Sequence, residues 1–374
     1  MKILVAGDFC PLYRVKKLFE NGDFSSVLGE VTSLTKSVDY SIVNFECPVC
    51  NEGLNPIFKY GPNLLCDENG VKAVKYAGFN CVTLANNHFL DYGKEGVGHT
   101  LKTCRKYGID TVGGGMNLQE ASKILYKEIG GRIFAIINCC ENEFSIATEQ
   151  TAGSSPLNPI RQYYAIKEAK KNADYTILIV HGGHEQYNLP STRMKEIYHF
   201  FVEVGADAVI NHHQHCYSGY EIYKEKPIFY GIGNFCFDYE GTPPTGWNEG
   251  YMIVLDFSNG DVSFEIIPYE QCNKKPSVRL VDKEAYAIEV ERLNNIICDD
   301  VLIKKHATQY YKESMKNVAY TLEPTQNRYI AALQHRHLLP SPWVQSWMVK
   351  LKNFLMCESH REKMEYFLNN YLPK

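Results

Sequence analysis

Asn211-His212-His213-Gln214-His215 closes the short apolar run Ala208-Val209-Ile210, and the reading of this stretch decides the fold. Three imidazoles within four residues, at the end of a predicted strand, form a metal-ligand pattern before they form a packing pattern, because neutral imidazole is the commonest metal ligand. Side chains two apart on an extended segment point the same way. His213 and His215 are therefore expected to reach one site together, with His212 facing elsewhere. A surface or hydrogen-bonded histidine cluster is the alternative this stretch leaves open.

Other apolar runs end in the same manner. Residues 2–6 lead into Gly7-Asp8, 40–45 into Glu46, 80–85 into Asn86-Asn87-His88, and 175–180 into His181. These runs read as buried strands. Helical stretches lie between them at 24–36, 69–76, 94–107, 164–172 and 194–204, with Gly78, Gly108 and Gly205 as stops. Alternating strands and helices give an α/β fold, and in such sheets sites form at the carboxyl ends of the strands. One polar residue at a strand end is a solvated loop; donors at five strand ends in register are a site. They are carboxylate, carboxamide and imidazole, with no obvious thiolate, which suits two divalent ions such as Zn, Mn or Fe. A carboxylate such as Glu46 can bridge a pair of ions, and a pair about 3.5–4 Å apart can activate a water and clamp the group it attacks.

The order of these motifs resembles that of the calcineurin-like metallophosphoesterases: Gly-Asp, a bridging acid, Asn-His, a lone His and a closing His-x-His. More closely, it resembles the CapA family of poly-γ-glutamate capsule-synthesis proteins. The resemblance rests on Gly7-Asp8, Asn44-Phe45-Glu46-Cys47-Pro48, Ala85-Asn86-Asn87-His88-Phe89-Leu90-Asp91-Tyr92-Gly93, Gly113-Gly114-Gly115-Met116-Asn117 and Val180-His181-Gly182-Gly183-His184-Glu185. It continues through Gly205-Ala206-Asp207-Ala208 to His215 and Gly231-Ile232-Gly233-Asn234-Phe235, covering about residues 1–240. It implies a four-layer α-β-β-α sandwich, two sheets packed face to face between helical layers, as a catalytic domain over 1–275.

The resemblance also implies roles. Asp8, Glu46, Asn87, His181, His213 and His215 would be ligands of two divalent ions, with Glu46 bridging. His88 would be the general acid or transition-state stabiliser. Asp91 would orient the His88 ring or cap the helix near Lys94, and Glu185 and His184 would lie on the substrate side. Where the wider superfamily has Asp-x-His, this chain has Asp8-Phe9-Cys10, so either one ion loses a ligand or Cys10 replaces it. The usual second-motif Asp is Glu46; the CapA group shares both departures. The implied function is a dinuclear metal-dependent hydrolase, phosphoesterase-like or acting on a γ-glutamyl or capsule polymer, in capsule or exopolysaccharide metabolism. The alternative is a non-catalytic component of a capsule polymer synthesis or export assembly, with capsule-synthesis proteins as partners. No Gly-x-Ser-x-Gly elbow and no P-loop is present, which argues against a serine hydrolase and against ATP-driven ligation.

Composition sets the bounds. The chain has 374 residues, 45% hydrophobic and 22% charged, ordinary for a soluble globular protein. A net charge of -4 without a Lys/Arg block gives no reason to expect nucleic acid. The opening apolar run is too short for a signal peptide, and no run reaches the roughly 18 apolar residues of a membrane helix, so a cytoplasmic location is expected. Thirteen cysteines without an export signal are expected to be reduced thiols, with Cys81, Cys139 and Cys140 inside apolar strands. Cys47-Pro48-Val49-Cys50 has redox-motif spacing, but its flanking Pro and Gly argue for a loop. From about Asp282 the texture turns helical, at 285–295, 301–317, 327–335, 343–354 and 361–368, giving a C-terminal helical region over 280–374. In it Trp343, Trp347, Phe354 and Leu355, with Lys350 and Lys352, form either a packed helix face or a partner or peripheral-membrane surface.

Overall fold

In the computed structural model, which describes residues 1–50, 53–59, 61–321 and 327–340, alternation along the first strand accounts for two cores. In β1 (Lys2–Cys10), Ile3 and Val5 enter one core while Leu4 and Ala6 enter the other. A strand covered on both faces reads as one continuous apolar run. Running parallel beside it are β2 (Tyr40–Phe45), β3 (Cys81–Thr83) and β4 (Asp110–Val112).

The chain then builds a second sheet. After the short β5 (Gly114–Gly115) come the hairpin β6 (Leu125–Ile129) and β7 (Arg132–Cys140), and β8 (Gly153–Ser154), which pairs back on β5. Next are β9 (Tyr175–His181), β10 (Ala208–His212), β11 (Tyr220–Tyr223) and β12 (Lys226–Phe229), in the sheet order β11-β12-β10-β9-β7-β6. The chain returns to the first sheet with β13 (Asn234–Phe237), parallel to the end of β1, and with β14 (Glu249–Asp256), β15 (Ser263–Gln271) and β16 (Val278–Leu280). The first sheet is ordered β16-β15-β14-β1-β2-β3-β4.

Helices close both outer faces. On the first sheet, α1 (Tyr13–Glu20), α2 (Phe24–Thr35), α3 (Glu68–Ala77) and α4 (Gly93–Lys106) send Val15, Val27, Val74 and Val97 into the core of Leu4, Val43 and Val82. After the short α5 (Leu118–Ala121), α6 (Pro159–Asn172) and α7 (Thr192–Val204) pack on β7, β9 and β10. The result is the helix–sheet–sheet–helix sandwich the sequence implied. Helix α6 starts earlier than the expected 164, because Asn158 accepts from the N–H groups of Ile160 and Arg161 and Pro159 occupies the first turn.

The chain divides into two compact units, Met1–Ala307 and Thr308–Lys374. The texture change near Asp282 is not where the first unit ends. Helix α8 (Ala287–Ile297) buries Val290, Leu293 and Ile297 in its core, and Ile303, early in α9 (Asp300–Thr321), follows. Within the second unit, Asn327 caps α10 (Arg328–His335). The expected helices at 343–354 and 361–368, with Trp343, Trp347, Lys350, Lys352, Phe354 and Leu355, lie outside the described residues. Among the described residues no helix is long and apolar enough to cross a membrane.

Candidate metal centre

Close backbone approach places the first candidate ligand. A Cβ on Gly7 would lie 2.0 Å from the Gly233 carbonyl oxygen, so only glycine lets β1 pass that turn. The next residue, Asp8, donates its N–H to the same oxygen at 3.2 Å, and the register of β1 shifts on either side of it. Its carboxylate accepts from Asn44 Nδ2 at 2.8 Å and from the His213 N–H at 3.3 Å. Glu46 follows β2, its N–H bonded to the Phe9 carbonyl at 3.0 Å. Asn86 anchors the turn after β3 by donating to the Phe45 carbonyl at 2.9 Å, which presents Asn87 and His88.

The histidine stretch departs from expectation. His181 ends β9 directly opposite His212 on β10, but the strand stops there. His213 has φ 91° and His215 φ 55°, a left-handed region that non-glycine residues rarely enter and that costs of order 1–3 kcal/mol per residue. A strained turn, not strand alternation, brings the two rings to within 6.2 Å of each other. Nor does His212 face elsewhere: it is buried, with Nδ1 3.2 Å from Asp8 Oδ1. Extended geometry failed as a guide because the segment is not extended.

Two groups of ligand atoms result, Glu46–His181–His213 and Asp8–Glu46–His215, each with its atoms within 4.8 Å of one another. Glu46 belongs to both. His181 Nε2 lies 3.0 Å from His213 Nδ1, 3.0 Å from Asn87 Oδ1 and 3.5 Å from Glu46 Oε1. Ligands about 2.0–2.2 Å from one ion sit about 3–3.5 Å apart, so this spacing fits a shared ion. Both Glu46 oxygens are buried without a hydrogen-bond partner. Leaving a carboxylate in that state is expensive, and a divalent cation is the partner that relieves it. Asn234 Oδ1 lies 2.9 Å from His215 Nδ1; accepting from it leaves Nε2 for an ion, the usual outer support of a ligating imidazole.

The electrostatics agree. Burial, then the Asp8 charge, pushes the Glu46 carboxyl well above its ordinary value. Burial alone would raise Asp8 too, but the imidazoles of His212, His181 and His215 overcome it and hold Asp8 below the usual range. Burial, reinforced by neighbouring imidazoles, lowers His181 well below its usual value and His213 to about 4. Neutral imidazoles and an ionised Asp8 are the forms in which such residues bind metal, and a bound cation would favour the ionised form of Glu46 as well. Cys10 is not part of the set. It lies in the helix-side core with Cys47, its thiol pushed up to about 11 by burial, and it joins neither ligand group.

His88 stands beside the candidate ligands, with Nδ1 2.7 Å from Asp91 Oδ2. Of the two roles open for Asp91, the structure provides the contact to the ring. Helix α4 starts at Gly93 behind Tyr92, which makes no side-chain cap. Glu185 is exposed on the loop after β9, and its charge is felt at Glu46 and His213. Half-buried His184 packs edge-on to Tyr187 at 6.4 Å. Sequence reasoning overlooked Asn44 and Asn234, though both sit inside motifs it quoted. It also missed Trp247, whose ring lies 4.8 Å from that of His215, Glu143, whose carboxyl burial pushes up and Asn87 holds back, and Lys59 beside His88. None of these last three carries a spacing signal.

Comparison with known proteins follows the same lines. Residues 2–239 match the family model "Bacterial capsule synthesis protein PGA_cap". The chain is 32% identical over 297 residues to the capsule biosynthesis protein CapA of Bacillus anthracis, covering 76% of this chain and 71% of that one. It is 30% identical over 271 residues to the PGA biosynthesis protein CapA of Bacillus subtilis, covering 71% and 70%. Among solved structures, a phosphatase from Mycoplasma pneumoniae aligns with TM-score 0.44 at 17% identity, over 72% of this chain and 92% of that one.

Proposed function

The chain belongs to the PGA_cap family of bacterial capsule synthesis proteins, and from that premise we propose that it is a dinuclear metal-dependent hydrolase of a phosphoester or of an amide in a γ-glutamyl-type capsule polymer. One observation carries the reading: the buried, hydrogen-bond-free Glu46 carboxylate is shared by two ligand groups. Asp8, Glu46 and His215 would hold one ion; Glu46, Asn87, His181 and His213 would hold the other. Mn, Fe and Zn all suit this donor set. Bound there, two divalent ions would supply Lewis acidity and a water acidified enough to attack at neutral pH.

The remaining chemistry falls to the chain. His88 would keep one proton on Nδ1, donated to Asp91 Oδ2, whose oxygen lies 2.7 Å away. Burial disfavours its charged form, and Asp91 opposes that effect. A second proton on Nε2 makes an imidazolium that Asp91 stabilises and that can protonate the leaving oxygen or nitrogen. Glu185 and His184 would meet the substrate outside the ligands. No side-chain nucleophile is required.

The test is metal content of the purified protein together with turnover of p-nitrophenyl phosphate and of poly-γ-glutamate. About two ions per chain and hydrolysis of either substrate are expected, with both lost in His213→Ala. Metal retained by His213→Ala would sink the ligand assignment. A metal-loaded wild type that hydrolyses neither compound would favour the non-catalytic capsule-assembly role.

A further inference from the structure

We propose that Lys59 is a positioning residue for His88, acting through Asp91. On the segment that carries it between β2 and α3, Asn55 and Pro56 are exposed and the neighbouring Phe58 is 97% exposed. Lys59 nonetheless turns inward: its side chain is 2% exposed and forms an ion pair with Asp91 Oδ1. Lysine is almost never buried unless paired, so the loop must dip here for a partner. Its Nζ also lies 3.1 Å from His88 Nδ1 and 5.4 Å from the centre of the Phe144 ring.

Asp91 is the hub of this arrangement. Its Oδ1 faces Lys59, while its Oδ2 takes His88 Nδ1 at 2.7 Å and the Leu64 N–H at 2.7 Å. Its backbone carbonyl accepts from the Ile57 N–H at 2.9 Å. An ammonium has no acceptor and no lone pair for a metal, so Lys59 is not a ligand. For the same reason His88 Nδ1 can donate to Asp91 or accept from Lys59, but not both. The shorter contact, to a carboxylate, is the stronger, and it leaves the proton on Nδ1. Lys59 thereby fixes the carboxylate: with Oδ1 engaged, Oδ2 stays turned to the ring. Remove the ammonium and Asp91 can rotate, so the ring loses its fixed partner.

The catalytic half of this inference rests on the proposed hydrolase reading; the structural half does not, and the test separates them. Long-range nitrogen–proton NMR of histidine-labelled, zinc-loaded protein reports the His88 tautomer, assigned by comparison with His88→Gln. In the wild type the proton is expected on Nδ1. In Lys59→Met the two His88 nitrogen signals should move toward averaged values, with metal content and the His213 signals unchanged, and Lys59→Arg should restore the wild-type pattern. A His88 pattern in Lys59→Met equal to wild type overturns the proposal, because a pair that only fastens the loop would leave it so.

If the wild type hydrolyses p-nitrophenyl phosphate, Lys59→Met should lower kcat by about 10- to 100-fold with KM within about twofold, and Lys59→Arg should recover most of it. An unchanged kcat beside a changed His88 pattern overturns the catalytic half alone. Should Lys59→Met not fold, Lys59→Met in the Asp91→Asn background removes both buried charges. There it should change kcat and the His88 spectrum by less than about twofold relative to Asp91→Asn, since the effect runs through Asp91. A further tenfold drop overturns the proposal. Absence of any wild-type turnover removes the hydrolase reading and leaves the NMR result to decide on Lys59.

Discussion

Gly7→Ala is the sharpest probe of how the fold holds its site. The added Cβ would sit 2.0 Å from the Gly233 carbonyl oxygen, against a floor near 3.0 Å for such contacts, so about 1 Å of separation must open. That oxygen is backbone, bound by the Asp8 N–H at 3.2 Å and carried on a residue paired with Gly250, so no rotamer can give way. Overpacking costs about 1–3 kcal/mol and the strained hydrogen bond about 0.5–1.5 kcal/mol, for a loss of about 2–4 kcal/mol. Asp8 is the adjacent residue and would move by a similar amount, far beyond the roughly 0.2 Å tolerance of a coordination distance. Urea unfolding of the purified variant should show the loss, and elemental analysis after gel filtration should show metal missing from the Asp8–Glu46–His215 group. The control is Gly29→Ala inside α2, whose new Cβ meets only Ser25 Oγ at 3.3 Å and which should be neutral or stabilising by up to about 1 kcal/mol. A Gly7→Ala protein within about 0.5 kcal/mol of wild type and fully metal-loaded would refute the reasoning.

Burial holds His213 at about 4 against an ordinary 6.5. The unfolded chain takes that proton first, so the metal-free protein should lose about 3 kcal/mol as pH falls across that window; urea titrations of His213→Gln should show a shallower slope, and equal slopes would remove the assignment. Glu46 works in the opposite sense. Its carboxyl is raised above 4.5, so the metal-free protein should lose stability as pH rises past that value. Glu46→Gln should be more stable than metal-free wild type at pH 8 and indifferent to chelator, and chelation that destabilises it as much as wild type would end the bridging role. Among the described cysteines only Cys298 is exposed. Iodoacetamide on native protein, followed by peptide mapping, should label it and spare Cys10 and Cys47; modification of either of those two would contradict their burial.

The legible part of this chain was its strand ends. The candidate ligands Asp8, Glu46, Asn87, His181, His213 and His215 stand out because continuous apolar runs, buried on both faces, stop abruptly at or beside these residues. What lay beyond reach were the contacts made by irregular backbone. Lys59 sits in a loop whose spacing says nothing, and its burial depends on where Asp91 lies in space. That His212 is buried beside Asp8 was not legible, because the left-handed turn at His213 cannot be read from a run of polar residues. Helix α8 fell outside the first unit in the sequence reading because the change to helical spacing near Asp282 looked like a boundary, while Val290, Leu293 and Ile297 are what bind it to the core.

The candidate ligand groups draw on both sheets: Asp8 lies in β1 and Glu46 follows β2 of the first, while His181 ends β9 and His213 and His215 follow β10 of the second. Ions bound there would act as rivets through the middle of the sandwich. Neither layer can build a complete site alone, so under the proposed metal reading docking of the sheets and maturation of the centre would be a single event. A chain caught half-folded would expose only partial sites with weak affinity. In the folded protein, ion release should loosen the registration of one sheet on the other, and amide exchange in β1 and β9 should quicken together.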